Sequence, residues 1–151
     1  MVAFLIIAFG TFLAACKKNG GNSTHTSPVL NTIVGDWELR QTVGSFYPGG
    51  ANYPPGNGHL LEFTADAYSR YAGGQLQKTG PYSIVADSTV LTSVCLTLPS
   101  GEFTSRIVYD NNDSTTKQFF QVGNDTLTIA GGCFAYDAGQ MSVYVRVSVL
   151  N

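Results

Sequence analysis

Histidine and cysteine, the side chains best suited to catalysis and metal binding, are rare in this sequence. His59 has no second histidine, cysteine or carboxylate at the spacing that metal sites use, and His25 lies in a polar stretch near the amino terminus. A serine nucleophile would need an orienting base, for which His59 is the one realistic candidate. The sequence contains neither a Gly-x-Ser-x-Gly motif nor a phosphate-binding loop. We therefore expect no enzymatic activity, no metal and no cofactor.

The charged residues do not predict an ion site or a nucleic-acid surface. The run from Asp110 to Asp113 lacks the spacing of a calcium loop, so a solvated turn is favoured. The net charge is −2, and the eight lysines and arginines are scattered along the chain. Because nucleic-acid binding usually requires a basic patch, we expect no such partner.

The sequence opens with an uninterrupted apolar run that ends in Leu13-Ala14-Ala15-Cys16. The run covers residues 2–15, which is short for a membrane span but typical of a signal peptide. Its end resembles the lipobox of bacterial lipoproteins. That resemblance implies a signal peptide over residues 1–15, a lipid on Cys16 and a membrane anchor in the cell envelope, with the outer membrane favoured. An ordinary signal peptide or a signal anchor, with a chance cysteine, is the alternative.

One feature of the leader departs from the lipoprotein pattern. No lysine or arginine precedes the apolar run, whereas Lys17 and Lys18 follow it. This order of charges would favour the wrong orientation during insertion. We therefore expect the true start to lie upstream, with a basic segment.

The two remaining cysteines form an even set once Cys16 carries lipid. An oxidising envelope would favour a disulfide between Cys95 and Cys133, which both lie in apolar stretches. Two separate buried thiols, acting as small hydrophobic side chains, are the alternative.

Composition divides the rest of the chain into a tether and one folded domain. Residues 17–32 are rich in Gly, Asn, Ser and Thr, so residues 16–32 are expected to be a lipidated cysteine with a flexible tether. The whole sequence is 44% hydrophobic and 12% charged, with nine phenylalanines and eight tyrosines. Disordered chains are poor in aromatic residues, so residues 33–151 are predicted to fold as one domain.

Short runs of β-branched and aromatic residues, separated by turn residues, fill this domain. Alternation is clearest in the last run, where Met141, Val143, Val145, Val147 and Val149 share one face. Successive hairpins predict an all-β fold, a small antiparallel up-and-down β-barrel, with a β-sandwich as the alternative. The predicted strands are Asp36–Val43, His59–Thr64, Ala67–Tyr71, Gly80–Val85, Thr89–Leu98, Phe103–Tyr109, Lys117–Val122, Thr126–Ala130, Cys133–Tyr136 and Gln140–Val149.

The segment Phe46–Gly58 is rich in glycine and proline and also contains two tyrosines. Its composition argues against a central strand. Between the first two predicted strands it would form either a lid at the mouth of the barrel or a long turn.

Several short motifs resemble those of lipocalins. The first strand opens with Gly35-Asp36-Trp37, and the last contains Tyr144-Val145-Arg146. In lipocalins such a tryptophan packs under an arginine that closes one end of the barrel, so Trp37 and Arg146 are expected to form a structural plug. The stretches 61–68, 80–84 and 124–129 resemble elements of the lipocalin-like domains common in Bacteroidota lipoproteins.

The resemblance implies a fold and a location, and leaves the function open between several classes. The first is a binding protein that holds a small apolar or amphipathic ligand, lined by aromatic residues, with Arg106 as a polar anchor. A solid core built from the same residues is the alternative. The second is an interaction module that presents Tyr47, Tyr53, Tyr68 and Tyr71 to a protein or glycan, and the third is an inhibitor-like barrel. The expected lining residues are Phe63, Tyr82, Phe119 or Phe120, and Phe134.

Overall fold

The structure is a computed structural model that describes residues 32–44, 47–90, 102–114, 116–132 and 139–147. Within these ranges the chain forms nine antiparallel strands. They are β1 Gly35–Gly44, β2 Tyr47–Asn52, β3 Leu60–Phe63, β4 Ala67–Ala72, β5 Gln75–Ala86, β6 Ser105–Tyr109, β7 Gln118–Gly123, β8 Thr126–Gly131 and β9 Gln140–Arg146.

Eight of these strands close into a barrel. Strands β3 to β9 pair in chain order, and β1 joins the two ends of that series by pairing with both β3 and β9. The second half of β1 pairs with β2, which is the additional strand. The predicted up-and-down antiparallel barrel is therefore confirmed, and the sandwich alternative is excluded because the sheet closes on itself.

Most predicted strands agree with the observed ones to within a few residues, although β5 begins five residues earlier than predicted. One strand was not predicted, and two predicted strands lie mainly or wholly outside the described residues. The segment Phe46–Gly58 contains β2, a strand that was not predicted there. Strand β2 pairs only with β1, so it lies at an edge, where such residues are tolerated. The predicted strand Thr89–Leu98 lies mainly outside the described residues, and Thr89 and Val90 belong to no strand. The predicted strand Cys133–Tyr136 lies wholly outside them.

The main hydrophobic core fills the barrel interior near the start of β1. Alternate residues of a strand face opposite sides of a sheet, so neighbouring core residues of one strand are two positions apart, as Leu61 and Phe63 are in β3. Its buried members are Ile33, Trp37, Leu61, Phe63, Tyr68, Ile107, Leu127 and Ile129. We call this end of the barrel the closed end. The opposite end, where β1 ends, is called the far end.

Strand β9 places its valines on the outer side of the barrel. Val145 is 36% exposed, whereas its neighbour Tyr144 packs against the main core. The inner face of β9 therefore carries polar residues and Tyr144, ending in Arg146. The alternation was visible in the sequence, but the face that turns inward follows from the contacts of Tyr144 and Arg146.

Candidate functional site

Trp37 and Arg146 meet at the closed end of the barrel. They lie directly opposite each other in the paired strands β1 and β9. Trp37 has no exposed surface, and its indole N–H donates a hydrogen bond to the Ile33 carbonyl at 2.7 Å. The guanidinium carbon of Arg146 lies 4.1 Å from the centroid of the Trp37 ring, which is cation–π geometry.

Arg146 also ties the segment before β1 to the barrel. Its Nη1 and Nη2 atoms donate hydrogen bonds to the carbonyls of Val34 and Thr32, each at 2.9 Å. Its Nε atom donates to Asp125 at 3.2 Å, which reaches the turn between β7 and β8. One guanidinium thus joins three parts of the chain across the closed end.

Gly35 makes room for this arrangement. Its φ angle is 138°, a conformation that residues with a β-carbon rarely adopt. A β-carbon at this position would also collide with Nη1 of Arg146. Steric exclusion of a β-carbon therefore explains why the Gly-x-Trp motif has glycine at this position.

Two of the residues predicted to line a ligand site pack together inside the barrel. Phe63 belongs to the main core, and Tyr82 packs against that core. Their ring centroids lie 4.9 Å apart in an edge-to-face arrangement. Burial raises the pKa of Tyr82. The phenol is therefore neutral at physiological pH.

Phe119 and Arg106 lie on the outer face, so the prediction that they line the interior with Phe63 is wrong. Phe120, the alternative to Phe119, packs against the main core, and adjacent residues of a strand face opposite sides. Phe119 instead forms a second cluster with Val90, Phe103 and Ala130. Arg106 lies directly opposite Phe119 in the paired strand β6. Phe134 lies outside the described residues.

A compact ion-pair network surrounds Arg106 on that outer face. Asp87 accepts hydrogen bonds from Nε of Arg106 at 2.8 Å and from Nζ of Lys117 at 2.9 Å. It also accepts bonds from the hydroxyl and backbone N–H of Thr89. Arg106 has a second partner in Asp113. The hydrogen bonds from Thr89 and then Lys117 hold the pKa of Asp87 well below its ordinary value.

Asp87→Asn is expected to lower the free energy of unfolding at pH 7 by about 1 to 2 kcal/mol, because charge-assisted bonds near the surface are lost. Because the pKa of Asp87 is lowered in the folded state, its carboxylate stabilises the fold fully at pH values above its ordinary pKa of 3.8, and this stabilisation is lost as the pH falls below that value. The difference in unfolding free energy between the wild type and Asp87→Asn should therefore be smaller in acid. Urea unfolding at pH 7 and pH 3 measures this difference.

Asp113→Asn is the matched control, because the Asp113 side chain is 68% exposed, against 10% for Asp87. Its effect should be clearly smaller. Equal losses for the two variants would contradict the importance of the Asp87 network.

The far half of the barrel interior contains a cluster of polar aromatic residues around an arginine. We call Tyr53, His59, Arg70, Tyr109 and Tyr144 the far-half cluster. Arg70 lies directly opposite Leu61, a core residue, so its side chain starts on the inner face. Tyr109 and Tyr144 pack against the main core. The rings of Tyr53 and His59 meet edge to face, with centroids 5.5 Å apart.

Tyr109 connects this cluster to the solid core. Its ring centroid lies 4.6 Å from that of Tyr68 and 6.4 Å from that of Phe63. Tyr68 is 2% exposed, and its hydroxyl donates to the Asp110 carboxylate at 3.2 Å. The interior thus changes gradually from apolar to polar along the barrel axis.

The positive charge of Arg70 acts on two phenols of the cluster. Burial raises the pKa of Tyr109 and of Tyr144, and Arg70 partly opposes that rise in both. Both phenols are therefore neutral at physiological pH and can donate hydrogen bonds.

Exposure of the inward-facing residues increases towards the far end. On β4, Tyr68 is buried, whereas Arg70, two residues further along, is exposed. On β9, Tyr144 is half-buried and Gln140 is exposed. Arg70 is therefore the exposed member of the far-half cluster, whose four aromatic members are half-buried.

The segment between β2 and β3 is fastened to the barrel wall. Asn57 donates side-chain hydrogen bonds to the carbonyls of Leu39 at 2.9 Å and Pro54 at 2.7 Å. Its backbone N–H donates to Glu38, a buried carboxylate that also pairs with Arg40. The predicted choice between lid and long turn thus resolves into an edge strand followed by a turn fixed to β1.

The tyrosines predicted to form an exposed interaction surface are not all exposed. Tyr68 is buried in the core, which corrects the prediction for that residue, and Tyr53 is half-buried. Tyr71 is half-buried and donates to Glu62 at 3.0 Å. The side chain of Tyr47 lies outside the described residues.

Sequence reasoning missed the far-half cluster as a site. The signal was present in β4, where Tyr68 and Arg70 have the spacing of residues on one face. It was also present in β9, where Tyr144 and Arg146 share that spacing. Spacing of two residues from a core position places such an arginine on the inner face, whereas its charge favours a solvent-facing position. Because the two indications conflict, the sequence did not decide the face on which Arg70 lies.

Several predictions concern residues that the structure does not describe. These are the lipid on Cys16 and the disulfide between Cys95 and Cys133. Within the described ranges, no group of three or more histidine, cysteine, aspartate or glutamate side chains could hold a metal ion. No helix in that part of the chain is long and apolar enough to span a bilayer.

The chain matches no family model, no curated protein and no solved structure.

Proposed function

We propose that this chain is a bacterial cell-envelope lipoprotein whose lipocalin-like barrel binds a small amphipathic ligand in its far half. The observation that carries the binding proposal is the change along the interior from an apolar core to a half-buried polar cluster that is exposed at Arg70. A structural barrel would gain stability from a core packed from end to end. Ligand sites instead combine aromatic walls with a few polar groups that converge on one space.

The ligand would contact both kinds of surface. Its apolar part would lie against the rings of Tyr53, Tyr109 and Tyr144, and its polar part would reach Arg70 and the phenol hydroxyls. Tyr53 follows β2, and the other three side chains come from β4, β6 and β9, so barrel closure is what brings them together.

Lipid on Cys16 would hold the barrel at a membrane. The support is the sequence Leu13-Ala14-Ala15-Cys16 at the end of an apolar run. The polar stretch up to Thr32 leads to the closed end of the barrel, where Arg146 holds Thr32. The far half would then face away from the point of attachment.

Native mass spectrometry of the protein purified from cell envelopes is expected to show a non-covalent mass of lipid size. The mass of the protein with its covalent lipid is measured separately under denaturing conditions. The native mass minus the denatured mass is the mass of the bound ligand. Ser142→Phe should remove that difference, because Ser142 lies opposite the core residue Ile129 and its side chain faces inward.

Thr128→Phe is the control for this substitution. Thr128 is adjacent to Ile129 in β8 and faces outward, so the same added ring should leave the ligand in place. Circular dichroism checks that both variants retain the β-fold. A wild-type protein without extra mass, or an unchanged mass in Ser142→Phe, would contradict the proposal.

A further inference from the structure

We infer that the ligand of the far half carries an anionic head group, a carboxylate or a phosphate, and that Arg70 binds it. This inference rests on the proposed ligand site and adds its chemical class. It assigns to Arg70 the anchoring role that the sequence had suggested for Arg106.

The first observation is a local excess of positive charge. Arg70 on β4 and Lys78 on β5 are directly opposite each other in the paired strands. Like charges in this position destabilise a sheet unless an anion compensates them. Asp110 lies 2.6 Å from Nζ of Lys78 and neutralises that side chain. Within the described ranges, no carboxylate lies within 4 Å of the Arg70 guanidinium.

The second observation is the set of hydrogen-bond donors that share the inner face with Arg70. The phenols of Tyr109 and Tyr144 pack against the main core on that face, and burial keeps both protonated, so each can donate a hydrogen bond. A guanidinium binds a carboxylate or phosphate through two parallel N–H bonds, and a phenol can add another. Two guanidinium N–H groups, one phenol hydroxyl and one positive charge suit an anionic group better than an alcohol or an amide.

The third observation is the position of Arg70 along the barrel. Two residues before it, Tyr68 is buried in the core, so an alkyl chain cannot pass far beyond Arg70 towards the closed end. A head group on Arg70 would leave the tail beside the rings of Tyr53 and Tyr144 on the side of the far end. The site therefore fits a compact anion with a short or bent apolar part.

Isothermal titration calorimetry with three probes of equal chain length tests the inference. The full-length purified protein, with bound lipid removed, is titrated with decanoate, decyl phosphate and decan-1-ol below their aggregation limits. We expect at least one anion to bind about ten- to a hundredfold more tightly than the alcohol, as charge-assisted bonds imply.

The Arg70→Gln variant should lose this preference, and Arg70→Lys should restore part of it. Arg40→Gln is the matched control, because it removes the same charge from an outward position paired with Glu38. Thermal unfolding of each variant checks that the fold is retained.

Each outcome decides a separate question. If the alcohol binds as tightly as both anions, or if Arg70→Gln keeps the preference, the anionic head group is excluded and the ligand site stands. If Arg40→Gln removes the preference as strongly, the effect comes from net charge and the role of Arg70 is overturned. If none of the three probes binds to the wild-type protein, the ligand site fails, and this inference fails with it.

Discussion

Replacing Trp37 by alanine should lower the free energy of unfolding by about 3 to 5 kcal/mol, the range found for large aromatic side chains in cores. The indole is completely buried and its N–H is bonded to Ile33, so the substitution removes both packing and a hydrogen bond. Domains of this size are stable by only about 5 to 15 kcal/mol. The variant is therefore expected to be close to unfolding, and chemical denaturation measures the loss.

A double-mutant cycle separates the contact with Arg146 from the rest of this loss. Arg146→Ala should cost less than Trp37→Ala, because its guanidinium lies near the surface and part of its bonding can pass to water. The double variant should lose less than the two single losses together, by about 0.5 to 2 kcal/mol, the strength of a cation–π contact.

The control pairs Trp37→Ala with Asp87→Asn. Asp87 lies in the outer-face network and shares no contact with Trp37 in the described structure, so these two losses should add. Strict additivity in the Trp37 and Arg146 cycle would show that the ring and the guanidinium do not interact in solution.

Cys16→Ser is expected to release the protein from membranes completely. Several acyl chains on one residue anchor a protein stably, whereas a serine cannot accept the thioether lipid. The substitution should abolish incorporation of labelled palmitate and move the protein from the membrane pellet to the soluble fraction. The experiment uses the gene at its own locus, so that the native start is preserved.

Cys133→Ser serves as the control, since it removes a thiol without affecting the lipobox-like sequence. That variant should remain in the membrane fraction and still incorporate palmitate. A Cys16→Ser protein that pellets with membranes at its processed size would overturn the lipoprotein proposal, while leaving the ligand site in the barrel unaffected.

The barrel architecture was predictable because its signals are local. Turn residues separate the short alternating runs, as at Asn124 and Asp125, which adopt φ angles of 49° and 56° in the turn between β7 and β8. Strand β2 was missed because its composition is that of a loop. It forms because β3 pairs only with the first part of β1 and leaves the edge of the second part free for β2. That free edge exists only in the assembled sheet.

The candidate site was predicted in type but not in position. An aromatic interior with one arginine was expected, and the far-half cluster has that composition. The arginine is Arg70 and not Arg106, and the inward phenylalanine of the adjacent pair is Phe120 and not Phe119. In each case the two residues are chemically alike, so the residue types do not distinguish the faces on which they lie.

The sequence by itself determined most of the strands and their antiparallel order, because these depend on residue type and turn chemistry along the chain. The contact between Trp37 and Arg146 was implied by the resemblance to lipocalins. The tertiary structure decided which face of each strand turns inward, where Arg70 lies relative to Lys78, and that β2 joins the sheet. These depend on register between strands that are distant in the chain, and a shift of one residue would exchange the inner and outer faces.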